Sequence, residues 1–457
     1  MKQAVQKQKL DMLNGPLWNK IPQFALPVAA TAILEQLFNA SDIAVVGNFS
    51  GAASTIAVAA VGANSFVISL VVNFFIGIAL GANVVIANAI GREDTDAVHR
   101  AVHTAVVVAV LGGVLVTVLG ELAAGPALRA LNVPAEVLPY ALLYLRIYLL
   151  GVPVILLYNF EAAIFRSVGD TRVPLQTLAF SGVLNVLLNL FFVIVLHMTV
   201  NGVATATVLS NAISSVLLFV RLRRSDKAIH LEWAALRIDR RSLQKILQIG
   251  IPAGIQSAVF SISNIVIQSA INSLGTVVMA ASSAAFNIEV VAYDVLNSFS
   301  QACTTFVGQN YGAGKLDRCR KTLVLCLVED ALASGIAILL VLGSGHFLLS
   351  LFNRDPEVIA LGYTRLMTVF TAYFFSMLYE VMSGYLRGFG ISLVPALLTM
   401  LGVCGVRILW IATAFPRSRT FQTILLAYPL SLAATAVLIL LALLSYHPSR
   451  RTKGETV

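Results

Sequence analysis

The stretch FRSVGDTRVPL at 165–175 returns as LRGFGISLVPA at 386–396, an offset of 221 positions. The two copies carry an arginine, a glycine and a proline at the same places. Chance matches between apolar segments do not reproduce the positions of charged and helix-ending residues. The match therefore predicts an internal duplication. The aligned pairs are Arg166 with Arg387, Gly169 with Gly390, and Pro174 with Pro395.

Further matches extend the duplication toward the start of each half. The same offset relates ANAIGRED at 87–94 to GQNYGAGK at 308–315. A Leu-Pro pair at 26–27 resembles an Ile-Pro pair at 251–252, at an offset of 225. The four-residue difference falls between the first and second apolar stretches of the halves. We therefore expect the same series of segments twice.

Long apolar stretches, separated by Gly, Pro or clustered charges, predict transmembrane helices. The chain of 457 residues is 58% apolar and 12% charged, with mean hydropathy +0.86, whereas soluble domains carry about 25% charged residues. The stretches are too long and too continuously apolar for the strands of a membrane β-barrel. The expected fold class is an all-α integral membrane protein with twelve spans, near 22–47, 54–90, 98–122, 135–168, 174–197, 201–222, 243–273, 278–310, 319–344, 357–388, 392–415 and 420–445.

The lysines and arginines predict the orientation of these spans. If both termini are cytoplasmic, 24 of the 31 basic residues fall in cytoplasmic segments. Basic residues concentrate on that side of a membrane, so the bias favours this topology. It also accounts for the net charge of +9 without a nucleic acid partner.

The duplication and the spans together predict the organisation of the chain. Two repeats of six spans share one topology, so the pseudo-twofold axis between them runs along the membrane normal. Facing duplicated lobes of this kind are the usual construction of an alternating-access transporter. The expected parts are an N-terminal lobe at 1–222, a cytoplasmic connector at 223–242, a C-terminal lobe at 243–446 and a cytoplasmic tail at 447–457.

Polar residues within the N-terminal spans are candidates for an ion site. Glu35 and Asp42 lie seven residues apart in span one, on one face of a helix. Asn185 and Asn189 are four apart in span five and also share a face. If the two spans pack together, Asp42 and both asparagines form an oxygen-lined site for Na⁺ or H⁺. The alternative is that these groups only bridge helices.

Further buried acids are candidates for binding a positively charged cargo. We expect Glu380 and Glu289 to be the main contacts, with Asp294 and Glu161 as further candidates. Tyr379 beside Glu380 offers an aromatic face to an organic cation. The alternative is that the acids pair with intramembrane arginines and serve only structure. The arginines placed within spans are Arg146, Arg365 and Arg407.

The motif search favours neither an enzyme nor a metalloprotein. The four cysteines include no Cys-x-x-Cys pair, and His99 and His103 lack the glutamate of a His-Glu-x-x-His zinc site. Neither a Gly-x-Ser-x-Gly elbow nor a phosphate-binding Gly-Lys-Ser/Thr loop is present. We therefore expect no catalytic residues, no resident metal and no cofactor.

With these features the sequence resembles the prokaryotic branch of the multidrug and toxic compound extrusion (MATE) family over essentially its whole length. The resemblance is carried by the span-one segment NASDIAVVG, the two duplicated turn motifs quoted above, and NGVATATVLSNAISSVL in span six. It implies export of amphipathic, often cationic organic compounds in exchange for inward Na⁺ or H⁺. Cargo would bind between lobes that rock between inward-facing and outward-facing states.

The resemblance also assigns roles to particular residues. In the prokaryotic branch, an aspartate like Asp42 and polar residues of span five take part in cation coupling, which implicates Asn185 and Asn189. Many members carry an acid at the position of Asn189, so the amide here bears on which ion is coupled and how many.

The competing expectation is a flippase for lipid-linked sugars, or an exporter of another solute, on the same scaffold. An anionic lipid carrier should require a basic cavity, whereas the acids within the spans outnumber the arginines. We therefore expect small amphipathic or cationic substrates, a multi-pass monomer in the inner (plasma) membrane, and no partner beyond the lipid bilayer.

Overall fold

The structure is a computed structural model that describes residues 10–51, 54–131, 133–225 and 228–446. Within these residues, twelve helices are long and apolar enough to cross a membrane. In chain order they are α1 (Lys20–Phe49), α2 (Ser54–Gly91), α3 (Thr95–Ala130), α4 (Leu138–Ser167), α5 (Arg172–Val195), α6 (Val200–Arg223), α7 (Arg240–Asn272), α8 (Thr276–Gly312), α9 (Leu316–Ser350), α10 (Pro356–Gly388), α11 (Leu393–Thr413) and α12 (Phe421–Tyr446).

The twelve spans predicted from the sequence are confirmed, with the largest differences at the ends of α3 and α9. The sequence placed these ends at 122 and 344, whereas the helices continue to Ala130 and Ser350. Helical hydrogen bonding does not stop where apolar sequence stops, so a span can extend past the lipid core. Gly345, just past the predicted end of span nine, allows close packing, because an added Cβ would lie 2.9 Å from the Tyr363 ring.

Backbone conformations at the turns follow the duplication. Gly169 and Gly390, 221 positions apart, end α4 and α10 with positive φ angles of 83° and 87°. Glu93 and Gly314, at the same offset, have φ of 57° and 71° in the turns after α2 and α8. A left-handed residue after a helix lets the last carbonyls find partners. Glu93 adopts this conformation although it has a side chain.

The helices form two compact units. One contains Ala30–Ile251, and in it α4 packs against α2, α3 and α6. Small residues allow the helices to approach closely, which drives packing where lipid competes for apolar surfaces. A Cβ on Gly113 would lie 2.4 Å from the Pro153 backbone. Leu115 and Leu122 of α3 are exposed, as side chains that face lipid would be.

The connector between the halves packs onto this first unit. A single 3₁₀ turn, Trp233–Ala235, follows the buried side chain of Leu231. His103 accepts a hydrogen bond from the Glu232 amide at its Nε2, with 3.0 Å between the nitrogens. The Asp239 amide donates to the Thr104 hydroxyl at 3.0 Å. His103 thus holds the connector to α3.

The other unit contains Leu10–Ala29 together with the chain from Pro252 onward. Here α10 packs against α8, α9 and α12. Gly384 of α10 sits directly on α8, because an added Cβ would lie 2.5 Å from the Ser300 carbonyl oxygen. Phe24 meets Phe306 edge-on, with 5.9 Å between ring centroids.

Polar contacts hold the segment before α1 to the turn between α8 and α9. The Lys315 ammonium donates to the Leu13 carbonyl at 2.9 Å. Arg318 donates to the Met12 carbonyl at 3.2 Å, and also to those of Asn14 and Gly15. Both cations are thus hydrogen-bonded to main-chain oxygens of the segment before α1. The predicted tail at 447–457 lies outside the described residues, and the predicted lobe boundaries remain a prediction.

Candidate functional site

The structure brings Asp42 of α1 together with both asparagines of α5. The Asn189 Nδ2 donates to the Asp42 Oδ1 at 2.6 Å. The same nitrogen donates to the Asn185 Oδ1 at 3.1 Å. Asp42 is 5% exposed, and the asparagines are buried beside it. The packing of spans one and five that the sequence left conditional is therefore present.

Thr207 of α6 completes the surroundings of this carboxylate. Its hydroxyl donates to the Asp42 Oδ2 at 2.9 Å. Sequence reasoning did not single out this residue, although it lies within the span-six motif NGVATATVLSNAISSVL. A threonine in a helix more often bonds only the carbonyl four residues before it, and Thr207 also makes that bond to Val203 at 3.0 Å.

The Asp42 carboxylate is thus held by neutral donors only. Among the described residues, no lysine, arginine or histidine lies within ion-pair distance of it. The Asn189 Oδ1 is buried and has no hydrogen-bond partner. A buried carboxylate and an open amide oxygen are hard donors that fit Na⁺, and the carboxylate also fits a proton.

The backbone changes from α-helix to π-helix just after Asn185 and Asn189. The α-helical part of α5 ends at Leu190, and one π-helical turn, Phe191–Val195, follows. α11 contains a π-helical turn at Met400–Gly405. Such turns insert a residue into the helix and often occur at functional sites. In α5 the π-helical turn ends the helix directly after the segment that carries Asn185 and Asn189.

The two other acids predicted in this unit lie apart from the Asp42 contacts. Glu35 is half-buried, and its carboxylate interacts electrostatically with Arg166. Glu161 of α4 is buried and accepts a hydrogen bond from the Ser215 hydroxyl at its Oε2, with 3.0 Å between the oxygens. Its Oε1 has no hydrogen-bond partner. Neither acid hydrogen-bonds to Asp42 within the described residues.

In the other unit, Glu289 forms a bidentate ion pair with Arg365. The guanidinium Nε lies 2.7 Å from the Glu289 Oε1, and Nη2 lies 2.9 Å from Oε2. Arg365 also donates to the Ser282 hydroxyl at 2.7 Å and stacks over the Tyr428 ring at 5.2 Å. Both charged side chains are buried. This geometry is the structural pairing that sequence analysis held open for Glu289.

Glu380 of α10 lies in a different environment from Glu289. The Tyr293 hydroxyl donates to its Oε1 at 3.1 Å, and no described cation lies within ion-pair distance. Asp330 of α9 is fully buried and interacts electrostatically with Glu380. The Ser334 hydroxyl donates to the Asp330 Oδ1 at 2.6 Å, and the Oδ2 has no hydrogen-bond partner.

The remaining predicted residues of this unit differ in accessibility. Tyr379 is only 1% exposed, so its ring is covered on both faces. Asp294 is half-buried on α8, next in sequence to Tyr293. Arg407 donates to the Ser431 hydroxyl at 3.0 Å and lies over the Tyr428 ring at 4.4 Å. Unlike Glu289, Glu380 therefore has no arginine within ion-pair distance in the described chain, although Arg387 interacts with it electrostatically from farther away.

Comparison of the sequence with protein-family models identifies the family of this chain. The model described as MatE matches residues 27–191 and 252–412, one segment in each half and together more than two thirds of the chain. The chain belongs to the MatE family. The resemblance drawn from the sequence is thus confirmed, and with it the assignment as a multi-pass membrane transporter.

Curated relatives and solved structures agree with this membership. This MatE member is 26% identical to the probable multidrug resistance protein YoeA of Bacillus subtilis, over 93% of this chain and 92% of the relative. It is 27% identical to the probable multidrug resistance protein NorM of Thermotoga maritima, over 88% and 85%. A multidrug resistance MATE transporter in an outward-facing conformation shares the fold, with TM-score 0.89 and 20% identity over 97% and 99% of the chains.

Proposed function

We propose that this protein is a secondary active antiporter that exports amphipathic, cationic organic compounds in exchange for Na⁺ or H⁺ by alternating access. It acts in the inner (plasma) membrane as a monomer with both termini in the cytoplasm. Na⁺ or H⁺ is a transported substrate, and no resident cofactor takes part. The multidrug resistance names of its relatives support this cargo class.

The observation that carries the proposal is the set of contacts around Asp42. Two neutral side chains, Asn189 and Thr207, donate hydrogen bonds to its carboxylate, and no described cation balances it. Burying an unbalanced carboxylate costs several kcal/mol, so the site favours binding of a cation or a proton. Asn185 and Asn189 contribute amide oxygens, of which the Asn189 Oδ1 is open.

Coupling requires that the ion and the cargo each bind the two transport states with different affinities. The Asp42 site lies where three helices meet, and the hydrogen bonds of Asp42 span 147 and 165 positions of sequence. A shift of α1 against α5 or α6 would change these bonds. Loading Asp42 with an ion would then favour one arrangement of the helices.

For the cargo we propose Glu380 as the main anionic contact, because Glu289 is already paired with Arg365. The alternative of a flippase for anionic lipid carriers would require free cations within the spans. Arg365 and Arg407 are engaged by neighbouring side chains, and Arg146 lies 3.5 Å from Glu121. These contacts favour a cationic cargo.

The test is uptake of a fluorescent organic cation by proteoliposomes under separately imposed Na⁺ and pH gradients. We expect one gradient to drive uptake by the wild type and neither to drive it in Asp42→Asn. A matched control is Asp96→Asn, which removes an exposed acid from the first turn of α3. Gradient-independent uptake by the wild type, or full coupling in Asp42→Asn, would overturn the proposal.

A further inference from the structure

A cavity of about 760 Å³ lies in the first unit, between the turn that joins α2 to α3 and the start of α7. Its wall includes the small apolar side chains Val85, Ala89 and Ala97. Two carboxylates, Asp94 and Asp239, also line it. The remaining charged residues of the wall are all basic: Arg92, Arg100, Arg240, Arg241 and Lys245.

Both carboxylates are already used to cap helices. The Asp94 Oδ1 accepts the Ala97 amide at 2.9 Å, at the start of α3. The Asp239 Oδ2 accepts the Ser242 amide at 2.8 Å, at the start of α7. That bond, helped by the nearby Arg100, lowers the pKa of Asp239 below its usual value. With both acids ionised, five cations still exceed them by three.

The duplication provides an internal comparison for these cations. In the second unit, Lys315 of the equivalent turn and Arg318 at the start of α9 donate to main-chain oxygens of residues 12–15. In the first unit, the side chains of the five basic residues make no hydrogen bond and no ion pair with any described residue. Among the described residues, the basic side chains near this turn are therefore hydrogen-bonded within the chain in the second unit but not in the first.

Four of the five cations are arginines, whose planar guanidinium binds phosphate oxygens in pairs. The volume exceeds what a simple inorganic ion fills and is in the range of organic ligands. We propose that this cavity binds a phosphate-bearing anion, either the headgroup of an anionic phospholipid or a soluble organic phosphate. The ligand would bridge the turn at 92–94 and the start of α7.

Basic residues also accumulate near membranes only to orient a protein, so the test must separate a site from a general charge effect. The variant Arg92→Gln/Arg241→Gln/Lys245→Gln removes three cations from the cavity. The matched control Arg221→Gln/Arg223→Gln/Arg224→Gln removes three exposed cations from the end of α6 that do not line it. Ala97→Phe fills the cavity without changing any charge.

Two probes distinguish the sources of the phosphate. Retention of phosphatidylglycerol by detergent-purified protein is measured by native mass spectrometry. Binding of inorganic pyrophosphate to protein in phosphatidylcholine nanodiscs is measured by calorimetry. We expect the wild type to bind one of the probes. The cavity triple variant and Ala97→Phe should each weaken that binding by more than about tenfold, and the control by less than about twofold.

Binding of phosphatidylglycerol alone identifies a lipid headgroup, and binding of pyrophosphate identifies a soluble phosphate. Failure of the wild type to bind either probe would overturn the proposal, as would equal losses in the cavity triple variant and its control. If the triple variant does not fold, Ala97→Phe decides the question, since unchanged binding there also overturns it. None of these measurements depends on transport.

Discussion

Asn189 of α5 donates a hydrogen bond to Asp42 of α1, with 2.6 Å between nitrogen and oxygen and 147 positions of sequence between the residues. The amide occupies the position where the family resemblance led us to expect a second acid in many members. The protein therefore presents one carboxylate and two amides at this point. The predictions about ion coupling depend on that difference.

Asp42→Asn should abolish ion-coupled export while leaving insertion and folding intact. Neutralising a buried acid removes the charge that attracts the ion but eases burial. The measurement is dye efflux from cells that express the variant at the wild-type level, with gel filtration to verify folding. Efflux at the wild-type rate would remove Asp42 from the mechanism.

Asn189→Asp should raise the sensitivity of transport to protons. An amide supplies an oxygen but no titratable proton, whereas two neighbouring carboxylates favour sharing one. Transport by proteoliposomes should then vary with pH more steeply than in the wild type. The Asn185→Asp variant tests whether the effect depends on contact with Asp42. An unchanged pH profile and unchanged Na⁺ dependence would mean that Asn189 only packs.

Thr207→Val should shift the ion affinity of the Asp42 site by roughly ten- to hundredfold, because a hydrogen bond to a charged group contributes about 1.5–3 kcal/mol. The matched control is Thr205→Val on the same helix, whose hydroxyl bonds only the Asn201 carbonyl at 2.7 Å. For Thr207→Val alone, the ion concentration for half-maximal uptake should rise if the ion is Na⁺, because the carboxylate is held less firmly, and fall if it is H⁺, because the hydroxyl stabilises the ionised carboxylate. Equal shifts in both variants would assign the effect to the helix rather than to Asp42.

Arg365→Met should destabilise the protein by about 3–5 kcal/mol, because it leaves Glu289 buried without its partner. Replacing both residues, as Glu289→Leu/Arg365→Met, should restore much of the loss. Arg146→Met is the control. The ion pair between Arg146 and Glu121 is longer, at 3.5 Å, and partly exposed, so its loss should lower the free energy of unfolding by about 1 kcal/mol or less. Thermal unfolding in detergent measures all three. Additive losses in the double variant would argue against the pairing.

Glu380→Gln should weaken export of cationic dyes while sparing neutral ones. The Tyr293 hydroxyl donates to the carboxylate, and no described cation lies within ion-pair distance, since Arg387 interacts with it only at longer range; its charge is therefore available to a cationic cargo. Glu357→Gln, an exposed acid at the start of the same helix, controls for charge. Equal loss for both dye classes, or loss of folded protein, would favour a structural role for Glu380.

The spans were predictable because hydrophobic length is a local property of the sequence. The duplication also predicted related turns, and the φ angles of Gly169 and Gly390 agree within a few degrees. Contacts between spans were harder to predict. The pairing of Asp42 with Asn189 followed from shared helix faces and from the family resemblance. Thr207 was missed because its partner Asp42 lies 165 positions away, and no pattern in the sequence around Thr207 indicates that contact.

The roles of the two main C-terminal acids also required coordinates. Glu289 and Glu380 look alike in sequence, since each lies in an apolar span among polar neighbours. Only the packing of α8 against α10 brings the Arg365 guanidinium onto one of them. The choice between cargo contact and structural pairing depends on a side-chain geometry that one sequence does not encode locally.

The docking of the segment before α1 has a consequence for biogenesis. The Met12 carbonyl accepts hydrogen bonds from Arg318 and from Asn310, which lies 298 positions later in the chain. At translation rates of about 5–20 residues per second, those partners emerge roughly 15–60 s after Met12. Met12 therefore reaches its final environment only after about 300 further residues of the chain have been made. Until then the membrane insertion machinery must accommodate a first span whose leading end has no partner.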